Sequence, residues 1–213
     1  MRHVSWGWLG LLLLLGVVSG CATADIPGPR VVTGRVTNPR GEPVVGNPVV
    51  LVGRNLGFTI PAWRYETMAQ DEVKTETDAE GRYRFEVNPA NLGNNFYLFF
   101  TSKRGFDEVR YRRVEPIDIT RRLKGELVVT VNQVLEWHPN WPEVQRLIAE
   151  YGPGSDRGRI LRQLGLPERK EGTETPGGKS EVWHYFRKGV TYRFENGVLV
   201  ATHTFAPIPA SED

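Results

Sequence analysis

The chain has 213 residues, which is enough for two modest domains or one large one. Its 27 Lys and Arg residues nearly balance its 25 Asp and Glu residues, and the net charge of +2 gives no reason to expect a nucleic-acid partner. A single cysteine, Cys21, excludes a disulfide bond within the chain. The folded part must therefore be stabilised by burial of apolar side chains.

The N-terminus carries an apolar stretch, residues 6–18, behind the positive charge of Arg2. This stretch is shorter than the roughly 20 residues of a membrane-spanning helix and is typical of a secretory signal. It runs into Val18-Ser19-Gly20-Cys21, a branched apolar residue, two small residues and a cysteine. These four residues resemble the lipobox of bacterial lipoproteins. The alternative is an ordinary signal peptide with an unrelated cysteine.

The lipobox resemblance implies that residues 1–20 are a cleaved signal peptide and that residues 21–30 form a tether. The sulfur of Cys21 would carry lipid, including palmitate, and would be the contact with the membrane. Ala22 directly after the cysteine resembles the sorting signal of outer-membrane lipoproteins. The expected location is therefore the cell envelope, on an outer-membrane lipid anchor that faces the periplasm.

Short runs with period-two alternation dominate residues 31–135. They are rich in Val, Tyr, Phe and Thr and are separated by Gly, Pro, Asn and Asp, which is typical of strands joined by turns. About seven short strands favour an antiparallel β-sandwich. The runs are 31–37, 47–53, 73–78, 82–87, 96–103, 108–114 and 126–134.

Two segments of this region share an ordered set of glycines, a proline and a TD..G turn. They are GRVTNPRGEPVVGNPVVLVG (34–53) and TETDAEGRYRFEV (75–87). In these features they resemble the carboxypeptidase regulatory-like, transthyretin-like domains, although Asn47-Pro48 replaces the alanine usual before the second strand. The resemblance implies a non-catalytic sandwich module with a spacer or binding role.

A long segment, residues 54–72, is expected to connect the second and third strands and is rich in aromatic residues. One interpretation is a recognition loop that offers Phe58, Trp63 and Tyr65 to a protein or a glycan. In the other interpretation these side chains fold back and cap the open end of the sandwich.

A second domain is predicted after residues 136–141, which contain two prolines and are interpreted as a linker. Apolar residues then recur at helical spacing, and strand patterns follow a polar loop. Residues 142–206 are predicted to form an ααβββ domain, and residues 207–213 a disordered tail. The expected elements are a helix from Pro142 to Gly152, a helix from Ser155 or Asp156 to Leu164, a loop over 168–180, and strands 181–186, 190–195 and 198–205, the last two joined by an Asn196-Gly197 turn.

The second domain contains a helix that ends in LG-x-P, a W-x-Y strand and an N-G hairpin, in ILRQLGLPERKE (160–171), EVWHYF (181–186) and YRFENGVLV (192–200). These segments resemble the small outer-membrane lipoproteins of the SmpA/BamE type. The resemblance implies protein–protein interaction in the periplasm, so an envelope protein is the expected partner. Trp183 and Tyr185 are interpreted as core residues, with a docking surface as the alternative.

No catalytic residue, metal or cofactor is expected from the sequence. GTETPGGKS (172–180) lacks the first glycine of a phosphate-binding loop and precedes a strand, so no nucleotide is expected. His184 and His203 would share a sheet face roughly 11 Å apart, too far for one zinc ion. The favoured function is a non-catalytic, membrane-anchored scaffold, and the alternative is a glycan- or ligand-binding surface lipoprotein.

Overall fold

The computed structural model describes residues 27–59 and 64–209. The expected signal peptide, Cys21 and Trp63 lie outside these residues, and only the backbone of Tyr65 is described. Within the described ranges, no helix has the length and apolar character needed to cross a bilayer. The described chain is mainly β and contains three four-stranded sheets.

The first unit consists of eight strands and one short helix. They are β1 (Arg30–Thr37), β2 (Pro48–Thr59), β3 (Arg64–Glu76), β4 (Arg82–Val87), β5 (Asn95–Phe99), β6 (Ile117–Asp118), α1 (Thr120–Gly125), β7 (Val128–Thr130) and β8 (Gln133–Val134). The strands form two sheets, one ordered β4-β1-β7 with β8 also paired to β1, the other ordered β3-β2-β5-β6.

The two sheets enclose one apolar core and form a β-sandwich. Strand β4 shows the pattern that builds it, because Tyr83, Phe85 and Val87 are buried while the residues between them are exposed. The ring of Tyr83 meets the ring of Phe100 edge-on at 5.7 Å, and Phe100 directly follows β5 of the opposite sheet. The first core draws on both sheets in this way.

The expectation of a purely antiparallel sandwich is wrong for the first sheet. Strand β1 pairs antiparallel with β4 but parallel with both β7 and β8. The run 126–134 is also two strands, because the side chain of Asn132 interrupts the ladder by accepting a 2.9 Å hydrogen bond from the Arg35 N–H. Strand β7 follows helix α1, and this crossover returns the chain in the direction of β1.

The strand expected over residues 108–114 is absent from the described chain, where a turn takes its place. Asp107 forms this turn, since its carboxylate accepts from the Arg110 N–H at 3.0 Å and its carbonyl accepts from the Tyr111 N–H at 3.0 Å. Only Tyr111 keeps a β-bridge, and its partner is Trp137. Local turn chemistry thus overrides the alternating pattern.

The second unit has two helices and four strands, so its order is ααββββ and not ααβββ. Its elements are α2 (Trp141–Tyr151), α3 (Asp156–Leu164), β9 (Arg169–Thr175), β10 (Gly178–Tyr185), β11 (Val190–Glu195) and β12 (Val198–Thr204), with sheet order β12-β11-β10-β9. The added strand, β9, lies where the sequence predicts a polar loop over 168–180, and all seven of its residues are exposed. It is an edge strand that extends the sheet by pairing with β10.

Helices α2 and α3 begin and end close to their predicted limits. Gly152 follows α2, and Ser155 caps α3 by accepting a 3.0 Å hydrogen bond from the Gly158 N–H. The apolar stripes of both helices pack on one face of the second sheet and form a second core. Residues 207–209 are described and belong to no element, although the Ile208 N–H donates to the Phe186 carbonyl at 3.0 Å.

Trp137 lies where the two cores meet and packs against both of them. Its ring stacks on Tyr111 of the first unit at 5.1 Å and on Trp141 of α2 at 6.4 Å. The guanidinium group of Arg110 lies 5.2 Å from the Trp141 ring. Residues 136–141, expected to be a linker, therefore form an aromatic seam between the two units.

A close backbone approach at Gly34 generates a prediction about stability. A Cβ atom at this position would lie 1.8 Å from the Val131 carbonyl oxygen, which also accepts a 2.7 Å hydrogen bond from Tyr83. We expect Gly34→Ala to lower the free energy of unfolding by about 3 kcal/mol, as strongly overpacked substitutions do. Urea unfolding would measure this loss.

The matched control is Gly125→Ala, because beyond its chain neighbours and its own helix backbone no heavy atom lies within 4 Å of the Cβ that it adds. Its unfolding midpoint should stay close to that of the wild type. Equal midpoints for Gly34→Ala and Gly125→Ala would contradict the steric explanation.

Candidate functional site

The aromatic segment of the first unit is a two-stranded ribbon rather than a long loop. Strands β2 and β3 pair up to Thr59 and Arg64, so the connection consists only of residues 60–63, which are not described. Asn94 anchors the base of the ribbon, since its side-chain amide accepts from the Leu56 N–H at 2.9 Å and donates to the Leu56 carbonyl at 3.0 Å. We call residues 57–59 and 64–67 the ribbon arm.

The ribbon arm presents Phe58, which is 47% exposed. Nearly half of this ring is therefore accessible to solvent, and the recognition and capping interpretations both stay predictions for the segment as a whole. Phe58 pairs with Tyr65, so two aromatic positions occupy neighbouring sites on one face of the arm. At its base the exposed side chain of Met68 packs over Gly57, where a Cβ would lie 2.8 Å from the Met68 Cγ.

Trp183 and Tyr185 lie in the second core, and each is 1% exposed. The Trp183 ring packs on Phe194 at 4.9 Å and on Tyr151 at 5.9 Å. The Tyr185 hydroxyl donates to the Gly165 carbonyl at 2.9 Å, and burial raises the pKa of Tyr185 well above its ordinary value. The structure therefore places both side chains inside the fold, where neither can be an exposed docking residue.

Glu181 is a buried carboxylate that the sequence interpretation missed. It is 3% exposed and lies within 3.0 Å of Arg157 Nη1, 3.2 Å of Lys179 Nζ and 3.7 Å of Lys170 Nζ. Burial alone would raise the pKa of Glu181, but the hydrogen bond from Lys179 and the charges of Lys170 and Arg157 lower it below its ordinary value. The sequence contains an indication of this burial, because Glu181 and Trp183 are two residues apart on one strand and therefore lie on the same face.

Arg157 connects this carboxylate to aromatic groups and to the helix layer. Its guanidinium lies 4.3 Å from the centre of the Tyr151 ring, and Arg157 stands in the first turn of α3. The neighbouring Asp156 accepts a 2.9 Å hydrogen bond from the Leu199 N–H of β12. Charged residues of α3 thus hold the helix against the sheet.

A cleft of about 950 Å³ lies between the two units. Two carboxylates on its wall are paired with cations, Glu108 with Arg113 and Lys188, and Glu168 with Arg187. Burial raises the pKa of each carboxyl, but these partners more than offset the effect and the pKa of both lies below the ordinary value. The neighbouring cations, together with the Arg187 backbone N–H at Glu168, thus favour the charged form of both carboxyls.

The strand register fixes the separation of the two histidines. His184 and His203 both pair with Thr191, on its two sides, because four residues separate β10 from β11 and a β-bulge shifts β12 by one residue. Two strand spacings place them about 10 Å apart, still too far to share one metal ion. Among the residues that the structure describes, no group of three or more His, Cys, Asp or Glu is placed to hold a metal.

The chain matches no protein-family model, and a search of curated proteins found no match. Among solved structures it is similar to a streptococcal ancillary pilin (13% identity, 85% of this chain and 60% of the other, TM-score 0.36). It is also similar to a shaft pilin domain from Lactobacillus rhamnosus GG (10% identity, 52% of this chain and 99% of the other, TM-score 0.31). A further similar structure is catechol 1,2-dioxygenase from Pseudomonas arvilla C-1 (14% identity, 55% of this chain and 54% of the other, TM-score 0.31).

The chain spans 62% and 59% of the lengths of two further dioxygenases, from Rhodococcus opacus 1CP and Pseudomonas putida DLL-E4. All these TM-scores are too low to indicate a shared function.

The buried Glu181 carboxylate generates a prediction about pH dependence. A carboxyl whose pKa is lowered in the folded state stabilises the fold above its unfolded pKa of about 4.3, and this contribution is lost as the pH falls through the folded pKa. At pH 7, Glu181→Gln leaves three cations around a neutral group and should lower the free energy of unfolding by about 3 kcal/mol. Below about pH 4 the difference in unfolding free energy between the variant and the wild type should shrink.

The exposed Glu195, which pairs with Arg193 at 2.8 Å, provides the control. Glu195→Gln should change the free energy of unfolding by less than about 1 kcal/mol at any pH. Urea unfolding between pH 3 and pH 7 measures both variants. A Glu181→Gln variant as stable as Glu195→Gln at pH 7 would show that the buried carboxylate is unimportant.

Proposed function

We propose that this chain is a lipid-anchored, non-catalytic protein of the bacterial cell envelope that acts as a protein-interaction or envelope-assembly scaffold. The observation that carries the proposal is the Val18-Ser19-Gly20-Cys21 motif at the end of an apolar stretch. A short segment, residues 22–29, separates this motif from the first residue of β1. Lipid on Cys21 would hold the folded part at an outer membrane, and more than one acyl chain gives durable anchoring.

We propose in addition that residues 31–135 are a carboxypeptidase regulatory-like, transthyretin-like module and residues 142–206 a SmpA/BamE-like module. The turn residues of the motifs support this assignment. Gly81 of the TD..G turn has a φ of +73°, and the Asn196-Gly197 pair has φ values of +49° and +86°, as a type I′ hairpin requires. Trp183 and Phe194, two further motif residues, lie in the second core.

The ribbon arm is our candidate for the surface that meets a protein partner. Two-stranded ribbons contribute little stability by themselves, so a ribbon that extends beyond its sheet is suited to present side chains. Phe58 is an exposed aromatic group on a regular strand, which is the kind of anchor that dominates protein interfaces. The runner-up function is glycan binding, in which the rings of Phe58, Trp63 and Tyr65 would stack on sugar faces.

Lipid attachment is tested by replacing the cysteine. Cys21→Ser should accumulate as an unprocessed precursor that no longer incorporates radioactive palmitate, because the sulfur that accepts the lipid is absent. Ser19→Ala keeps a small residue in the motif and should be labelled like the wild type. Continued labelling of Cys21→Ser would refute the anchor.

The interaction role is tested by a photo-crosslinking amino acid, p-benzoylphenylalanine, in place of Phe58 in the lipidated chain. We expect one discrete adduct with an envelope protein in intact cells. The same replacement at the exposed Arg84 of β4 should give none. The affinity of the purified pair should fall about 30-fold in Phe58→Ala, equivalent to roughly 2 kcal/mol at an aromatic anchor.

Glycan binding would give a different result. In that case no protein adduct forms at position 58, and the purified chain binds a glycan array in a way that Phe58→Ala abolishes. If neither a protein adduct nor glycan binding is found, the ribbon arm is not the interaction surface.

A further inference from the structure

The four-stranded sheet of the second unit has two outer edges that differ in charge. On one edge, β9 carries Arg169, Lys170, Glu171 and Glu174 among its seven residues. On the other edge, β12 has the sequence VLVATHT, without a single Lys, Arg, Asp or Glu. Charged side chains are a common device that keeps an edge strand from pairing with another chain, and β12 lacks it.

The backbone of β12 offers hydrogen-bonding groups on its open side. Within the described ranges, β11 is the sole strand paired with it. The Phe205 N–H donates inward to the Gly189 carbonyl at 2.8 Å, and alternation along a strand then directs the N–H groups of Thr202 and Thr204 outward. At the start of the strand, the Asp156 carboxylate accepts a hydrogen bond from the Leu199 N–H. The part of the edge that is open to another strand therefore begins at Val200.

The side chains along this edge include no Lys, Arg, Asp or Glu, and most of them are exposed. Val198 is 60% exposed and Val200 is 50% exposed. Next to them, His203 and Phe205 stack at 6.1 Å and continue the sheet surface. A short segment with high β-propensity, no net charge and no proline is the type that pairs readily with an identical segment.

We propose that β12 pairs antiparallel with β12 of a second copy of this chain around a two-fold axis. The two sheets would then continue into one eight-stranded sheet. Self-pairing is expected because two copies of β12 set identical residues of high β-propensity against each other, and no Lys, Arg, Asp or Glu of either strand opposes a like charge. A two-fold contact also uses the same surface on both copies and therefore closes after two chains.

Two substitutions at Thr202 test the pairing by different mechanisms. Thr202→Lys places a charge on the edge and sets two like charges near the axis. Thr202→Pro removes an N–H that no described residue accepts, so the fold keeps its own hydrogen bonds. The control is Thr173→Lys on β9, an exposed position on the opposite edge of the same sheet.

The measurement is sedimentation equilibrium of the full lipidated chain in density-matched detergent, with near-ultraviolet circular dichroism to check folding. We expect a dimer whose dissociation constant rises at least tenfold in Thr202→Lys and Thr202→Pro and stays unchanged in Thr173→Lys. A wild-type chain that is monomeric throughout, or a dimer unaffected by both Thr202 variants, would overturn the proposal. A monomer that instead binds an extended peptide at β12 would overturn it as well.

Discussion

The stacking of Trp137 is the interaction on which the arrangement of the two units depends. Its ring contacts Tyr111 on one side and Trp141 on the other, and its backbone is bridged to Tyr111. The Arg112 N–H donates to the Glu136 carbonyl at 2.9 Å, and the His138 N–H donates to the Arg110 carbonyl at 2.8 Å. The turn after Asp107 is therefore held against the connecting segment, and the cleft between the units results from this contact.

The second unit combines an apolar core with a cluster of charged side chains around a buried carboxylate. Beside the second apolar core, the buried Glu181 carboxylate has three cations around it. A buried ion pair adds little stability compared with an apolar replacement, but removal of one partner is costly. The cluster thus ties α3, β9 and β10 to one arrangement.

The elements that sequence reasoning predicted well are those defined by local chemistry. Ser155 marks the start of α3 because its side chain accepts a hydrogen bond from a free N–H of the first turn, and Gly152 marks the end of α2 because it adopts a positive φ. Asn196-Gly197 forms its hairpin because both residues tolerate positive φ. Strand β9 was missed because an exposed edge strand needs no apolar alternation. The ribbon arm was interpreted as a loop because its pairing depends on a partner strand and not on its own pattern, although Phe58 was already a candidate for its function.

The sequence by itself determined most of the alternating strands of the sandwich and the two amphipathic helices. These features depend on residues close together in the chain, so their patterns are complete within a short window. Only the tertiary structure decided the parallel pairing of β1 with β7, the seam around Trp137 and the open edge of β12. The first two are contacts between distant segments, and their free energy comes from burial and hydrogen bonds that no local pattern contains. The edge of β12 is open because no described strand pairs with its outer side.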